Sequence, residues 1–226
     1  MSRYIVLLGD SIFDNGIYTG GEPDVLSHLR SLLPAGWKAT LLAVDGSTTA
    51  DLPDQLGRLP TEASHLVVSI GGNDALGDYN LLTLPARSVS QALALLAERI
   101  ALFEARYRAA IGAALAPGLP TTICTIYNGN FPDPEEAMVS RVALATFNDV
   151  ILRVAFEHRL SLIELRLICN EPGDYANPIE PSGPGGRKIA QAIATVVGAL
   201  DPATRRSEVW AGTTRRPRTS LSSEPL

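Results

Sequence analysis

Histidine is scarce in this sequence. The 226 residues include three, His28, His65 and His158, so any chemistry that needs an imidazole must draw on one of them. Cysteine is scarcer still. Cys124 and Cys169 alone cannot build a disulfide scaffold or a four-cysteine zinc site. No apolar run approaches the roughly 18 residues of a membrane span. The longest near the start, Tyr4–Leu8, is too short for the core of a secretory signal, so the expectation is a cytoplasmic chain with no membrane partner. Positive charge is in deficit: the net charge of −5 argues against nucleic acid as a partner. Nucleotide-binding loops are missing too. Gly183-Pro-Gly185-Gly186-Arg-Lys188 lacks the P-loop spacing, and no Gly-x-Gly-x-x-Gly follows the first strand. The Gly-x-Ser-x-Gly nucleophile elbow is also absent.

What is present is a globular composition, 46% apolar and 19% charged, long enough for one domain with a sizeable core. Short apolar runs without clean alternation occur at Tyr4–Leu8, Ala39–Val44, His65–Ile70, Thr121–Ile126 and Ser161–Leu165. Each stops at or near a polar or glycine-rich turn, the pattern of strands buried on both faces. Helical periodicity fills the intervals at Asp24–Leu33, Asp51–Leu59, Ser88–Leu115, Glu135–Arg159 and Gly185–Leu200. Such alternation predicts a parallel sheet with helices on both faces, in a single domain over residues 1–202. Beyond it, residues 203–226 hold five arginines and two glutamates among Ser, Thr and Pro, and read as a disordered basic tail.

In parallel sheets, ligands bind beyond the carboxyl ends of the strands. There the sequence places Gly9-Asp10-Ser11, Asp45-Gly46-Ser47, Gly71-Gly72-Asn73-Asp74 and Tyr127-Asn128-Gly129-Asn130. Ser11 offers a hydroxyl and its own amide, Gly46 an amide open to close approach, and Asn73 a side-chain NH₂. Three such donors converging on one point would form an oxyanion hole for a tetrahedral intermediate. Asp10, Asp14 and Asp45 fall near the same edge, but without the spacing of a cation-binding loop. Tyr18, Tyr79, Tyr127, Phe131 and Tyr175 are expected to rim the site. No long insertion is available as a lid, which favours a small or openly bound substrate.

Gly9-Asp10-Ser11-Ile12-Phe13-Asp14-Asn15, Gly46 and Gly71-Gly72-Asn73-Asp74 resemble the first three sequence blocks of the SGNH (GDSL) hydrolases. The segment Glu180-Pro181-Ser182-Gly183-Pro184-Gly185 resembles the last. The resemblance spans roughly residues 3–200. It implies a flavodoxin-like three-layer α/β/α sandwich with a five-stranded parallel sheet of order 2-1-3-4-5. It also implies ester hydrolysis through an acyl-serine, with Ser11 as nucleophile and Ser11, Gly46 and Asn73 as oxyanion donors. No metal or organic cofactor is implied.

One block departs from the pattern. Where the family has Asp-x-x-His before Pro-Ser, this chain reads Asn177-Pro178-Ile179-Glu180. None of the three histidines is expected at the active edge to compensate. Glu180 is therefore the candidate base, provided burial lifts its pKa toward neutrality. Asn177 would orient it by donating a hydrogen bond, and Asp174 is a reserve carboxylate. The expected function is a serine esterase of small acyl esters. The alternatives are a non-catalytic protein that holds a carboxylate or acyl group in the oxyanion pocket, and an acyltransferase.

Overall fold

The computed structural model describes residues 3–199 and 208–210. A parallel sheet runs through the centre. Its strands are β1 (Tyr4–Gly9), β2 (Lys38–Leu41), β3 (His65–Ser69), β4 (Thr121–Cys124) and β5 (Ser161–Ile163). They lie in the order 2-1-3-4-5, as expected. A sixth strand, β6 (Val209–Trp210), joins β5 in parallel register, and the backbone N–H of Leu162 donates to the Glu208 carbonyl at 2.7 Å. These residues belong to the segment read as a disordered tail, so that reading is corrected for 208–210. The β5 edge offers unpaired backbone groups, and Val209-Trp210 is a short apolar, β-prone pair able to take them. The rest of 203–226 lies outside the described residues.

The strands β1, β3, β4 and β5 show alternate side chains to two separate cores. Ile5 and Leu7 of β1 face one, and Val6 and Leu8 face the other. The first core is covered by α1 (Val25–Leu32) and α7 (Gly183–Ala199). The second is covered by α2 (Leu52–Leu56), α4 (Val89–Leu115) and α5 (Pro134–His158). Burial on both faces explains why the strands read as continuous apolar runs. Local signals set the helix ends. Asp24 accepts from the Ser27 N–H at 2.7 Å, and Ser88 accepts from the Gln91 N–H at 3.1 Å, each as an N-cap. Pro34 holds Leu33 in extended backbone and ends α1.

Short helical pieces were not expected from the sequence. Residues Gly72–Gly77 form α3, followed by a 3₁₀ segment at Tyr79–Thr83, and Leu165–Ile168 form the one-turn α6. Their short lengths leave no amphipathic period to detect. Among the described residues, no helix is long and apolar enough to cross a membrane.

Candidate active site

The site starts at the end of β1. Gly9 has φ +132°, and a Cβ there would lie 1.7 Å from the Ser69 carbonyl oxygen on β3. Only glycine lets the two strands close so tightly. The Asp10 N–H then donates to Ser69 O at 3.1 Å, and the N–H groups of Phe13 and Asp14 both return to Asp10 O. This tight turn presents Ser11 at its crest, 7% exposed. From α2, the buried Gln55 side chain holds the turn from below. It accepts from Gly9 N–H and donates to Gly9 C=O, both at 2.8 Å.

The neighbouring loops are tied to each other. Gly46 sits at φ +79° in a turn closed by Ser47 N–H donating to Val44 O at 3.1 Å. Asn73 opens α3 and donates one amide hydrogen to Ser47 O at 2.9 Å. Its second amide hydrogen remains available to a ligand. Asp74 accepts from the Thr49 N–H at 2.9 Å and the Thr49 hydroxyl at 2.6 Å, which joins α3 to the same loop. Asp10, Ser11, Asn73 and Glu180 all line one pocket. Gly46 is not in its wall and connects to it through Ser47.

Glu180 reaches Ser11. The Ser11 hydroxyl donates to Glu180 Oε1 at 3.1 Å. The Glu180 residue is 6% exposed, and its Oε2 is buried with no hydrogen-bond partner. Burial pushes its carboxyl up to about 7. The Ser11 hydroxyl pulls in the other direction, and the Asp45 charge adds to the rise. Burial likewise pushes Asp10 up to about 7, against the Ile12 N–H that its carboxylate accepts and with help from the charge of Glu180. Two carboxyls therefore titrate near neutrality beside one serine.

Two expectations need correction. Asn177 does not donate to Glu180. Its Oδ1 accepts the N–H groups of Ile179 and Glu180, both at 2.9 Å, so it shapes the loop and does not touch the carboxylate. Those two bonds fix the Asn177 side chain against its own loop. Asp174 is not in reserve either. Its buried carboxylate accepts the N–H groups of Asn170 and Glu171 at 3.0 Å and pairs with Lys188 at 2.8 Å, pinning the loop to α7.

The histidines stand elsewhere, and none lines the pocket. His65 opens β3 and contacts the Ser64 hydroxyl through Nδ1 at 2.8 Å, with its pKa pushed down to about 4 by burial and then by Arg3. His28 is on α1, and His158 ends α5 on the surface. The three aspartates do not assemble as cation ligands. Asp14 accepts the Asp45 N–H at 3.0 Å and Asp45 accepts the Tyr18 hydroxyl at 2.7 Å. Among the described residues, no cluster of three His, Cys, Asp or Glu could hold a metal ion.

Several residues act as supports that the sequence did not identify as such. Gln55 is one. Asn15 is another: fully buried, it donates to Pro181 O at 3.2 Å and accepts the Val25 N–H at 3.0 Å, linking the serine turn to the Glu180 loop. Tyr127, expected only at the rim, donates to Ile179 O at 2.5 Å, and Asn130 N–H donates to Pro178 O at 2.8 Å. Tyr175 packs edge-on against Tyr127 with ring centroids 5.2 Å apart. The loop bearing Glu180 is thus fastened from both sides. Tyr79 and Phe131 do line the pocket, which extends to a volume of about 960 Å³ including its open mouth.

This architecture recurs in solved structures. A phospholipase A1 from Streptomyces albidoflavus NA297 is 16% identical, with a TM-score of 0.65 over 89% of this chain and 100% of its own. An acetylxylan esterase from Geobacillus stearothermophilus is 19% identical, with a TM-score of 0.61 over 90% of this chain and 97% of its own. An extracellular lipase from Streptomyces rimosus is 17% identical, with a TM-score of 0.61 over 88% and 100%. At such identities the likeness concerns the fold. No curated protein sequence matches the chain. The sequence blocks reach further: the GDSL-like lipase/acylhydrolase family model matches residues 7–186, and the chain belongs to that family.

Proposed function

We propose that the chain hydrolyses carboxylic esters through an acyl-serine at Ser11, with Glu180 as the base in place of histidine. The observation that carries this reading is the 3.1 Å hydrogen bond from the Ser11 hydroxyl to a buried glutamate whose pKa lies near 7. A carboxylate of ordinary pKa near 4.3 would be a weak proton acceptor at neutral pH, and raising it to about 7 brings it into the range of an imidazole.

The steps balance without a cofactor. Ser11 Oγ bonds to the ester carbonyl carbon as its proton passes to Glu180. The oxyanion is held by the amide of Ser11 and by Asn73, which both line the pocket, whereas Gly46 does not. The carbon–alkoxy bond breaks, and Glu180 returns the proton to the leaving alcohol. Water then attacks the acyl-serine, gives a proton to Glu180, and the acid departs as Ser11 recovers that proton. A serine-directed fluorophosphonate is expected to label wild type and not Ser11→Ala. Absence of labelling in wild type would refute catalysis and favour a carboxylate- or acyl-binding protein. New ester formation when alcohols are supplied would identify acyl transfer as the reaction.

A further inference from the structure

The pocket does not stop at the serine. Four residues of α5, Ser140, Ala143, Leu144 and Phe147, line it at the i, i+3, i+4, i+7 spacing of a single helix face. Leu76 of α3 and Leu96 of α4 contribute apolar wall. Its inner end is fixed beside the oxyanion loop. Phe147 packs on Phe103 with ring centroids 4.9 Å apart, and the Phe103 ring would lie 3.1 Å from a Cβ on Gly71. Its outer end is marked by Tyr79, whose hydroxyl donates to the carboxylate of Glu136, one turn before Ser140. The stripe from Phe147 to Ser140 spans seven residue-to-residue steps, ~10 Å of helix at 1.5 Å per residue.

Resting on the acyl-serine reading, we propose that this groove holds a linear acyl chain of about eight carbons, making the substrates medium-chain esters and not the small acyl esters that the absence of a lid suggested. A staggered alkyl chain advances ~1.25 Å per carbon, so ~10 Å takes about eight. Glu180 distinguishes the acyl side from the alcohol side. The leaving oxygen must meet the proton it returns, so the alcohol lies toward the 177–181 loop and the acyl chain runs the other way, past Gly72 and Asn73. The acyl group is also the part that stays bound between the two half-reactions, and it gains most from an enclosed apolar wall.

Each methylene taken from water into such a wall is worth roughly a three- to fourfold gain in binding. A series of p-nitrophenyl esters from C2 to C12 is expected to show a kcat/KM optimum near C8, at least ten times the C2 value. Ala143→Phe, which fills the middle of the groove, is expected to lower C8 turnover more than tenfold relative to C2 turnover and move the optimum to C2–C4. An optimum at C2 in wild type, or an equal loss at all lengths in a folded Ala143→Phe protein, would overturn the proposal. Calorimetric titration of Ser11→Ala with octanoate and acetate keeps the two readings separate. Tighter binding of octanoate with no ester turned over would sink the acyl-serine reading and retain the groove. No preference for octanoate would sink the groove whatever the catalysis.

Discussion

Replacing Glu180 with glutamine will move activity and stability in opposite directions. The carboxyl is held at about 7 in the folded protein against an ordinary 4.5, because it is buried and its Oε2 has no partner. The folded chain therefore binds this proton more tightly than the unfolded chain does. Below about pH 4.5 both states are protonated and no penalty exists. As pH rises from there through 7, the unfolded chain ionises readily and the folded one does not, so stability falls by about 3 kcal/mol in total. Glutamine is neutral throughout and escapes this loss. At pH 5 the variant and wild type should melt within about 3 °C of each other; at pH 8 the variant should melt about 6–12 °C higher, given 2–4 °C per kcal/mol for a chain of this size. Activity should fall by about 10²–10⁴, the usual contribution of a general base. Differential scanning calorimetry at pH 5 and 8, beside ester hydrolysis at pH 8, measures both. A variant that retains full turnover, or one that gains no stability between pH 5 and 8, would refute the reasoning from burial to basicity.

Wild-type kcat/KM should rise with pH through a midpoint near 7 as Glu180 ionises, and a profile flat between pH 5 and 9 would contradict this. Asn73→Ala should lower kcat by about 10²–10³ with little change in KM, since the donor acts on the developing oxyanion. Tyr127→Phe removes the 2.5 Å hydrogen bond to Ile179 O beside Glu180, and should lower kcat and displace the pH midpoint. Asp174→Asn, by contrast, should reduce stability by about 1–3 kcal/mol in urea unfolding and leave the midpoint in place. Gln55→Leu leaves the Gly9 N–H buried without a partner, while the Gly9 C=O keeps the Val44 N–H at 3.1 Å, and should cost about 1–3 kcal/mol by the same measurement.

The loop that bears Glu180 is positioned through its backbone. The structure does this with Asn177 beneath the loop, Tyr127 and Asn130 on one side, and Asn15 on the other. The cost of this arrangement is the unpartnered Oε2, and that same lack of solvation raises the pKa.

The sequence by itself placed the strands, the edge at which ligands bind, and the short blocks around Ser11, Asn73 and Glu180, whose resemblance to the SGNH hydrolases implied the strand order. Those features are local: apolar runs buried on both faces, glycines where backbone must close tightly, and polar residues at strand ends. It did not reveal Gln55, Asn15 or Tyr127 as supports, because a buried hydrogen bond between residues 46 or 166 positions apart leaves no periodicity. It misassigned Asn177 and Asp174, because residue type does not say which way an oxygen points. Only the tertiary structure decided that Glu180 meets the serine in a water-poor setting, and that α3, α4 and α5 extend the site into an apolar groove. Both depend on which surfaces distant elements bury together, and burial is what raises the Glu180 carboxyl to about 7.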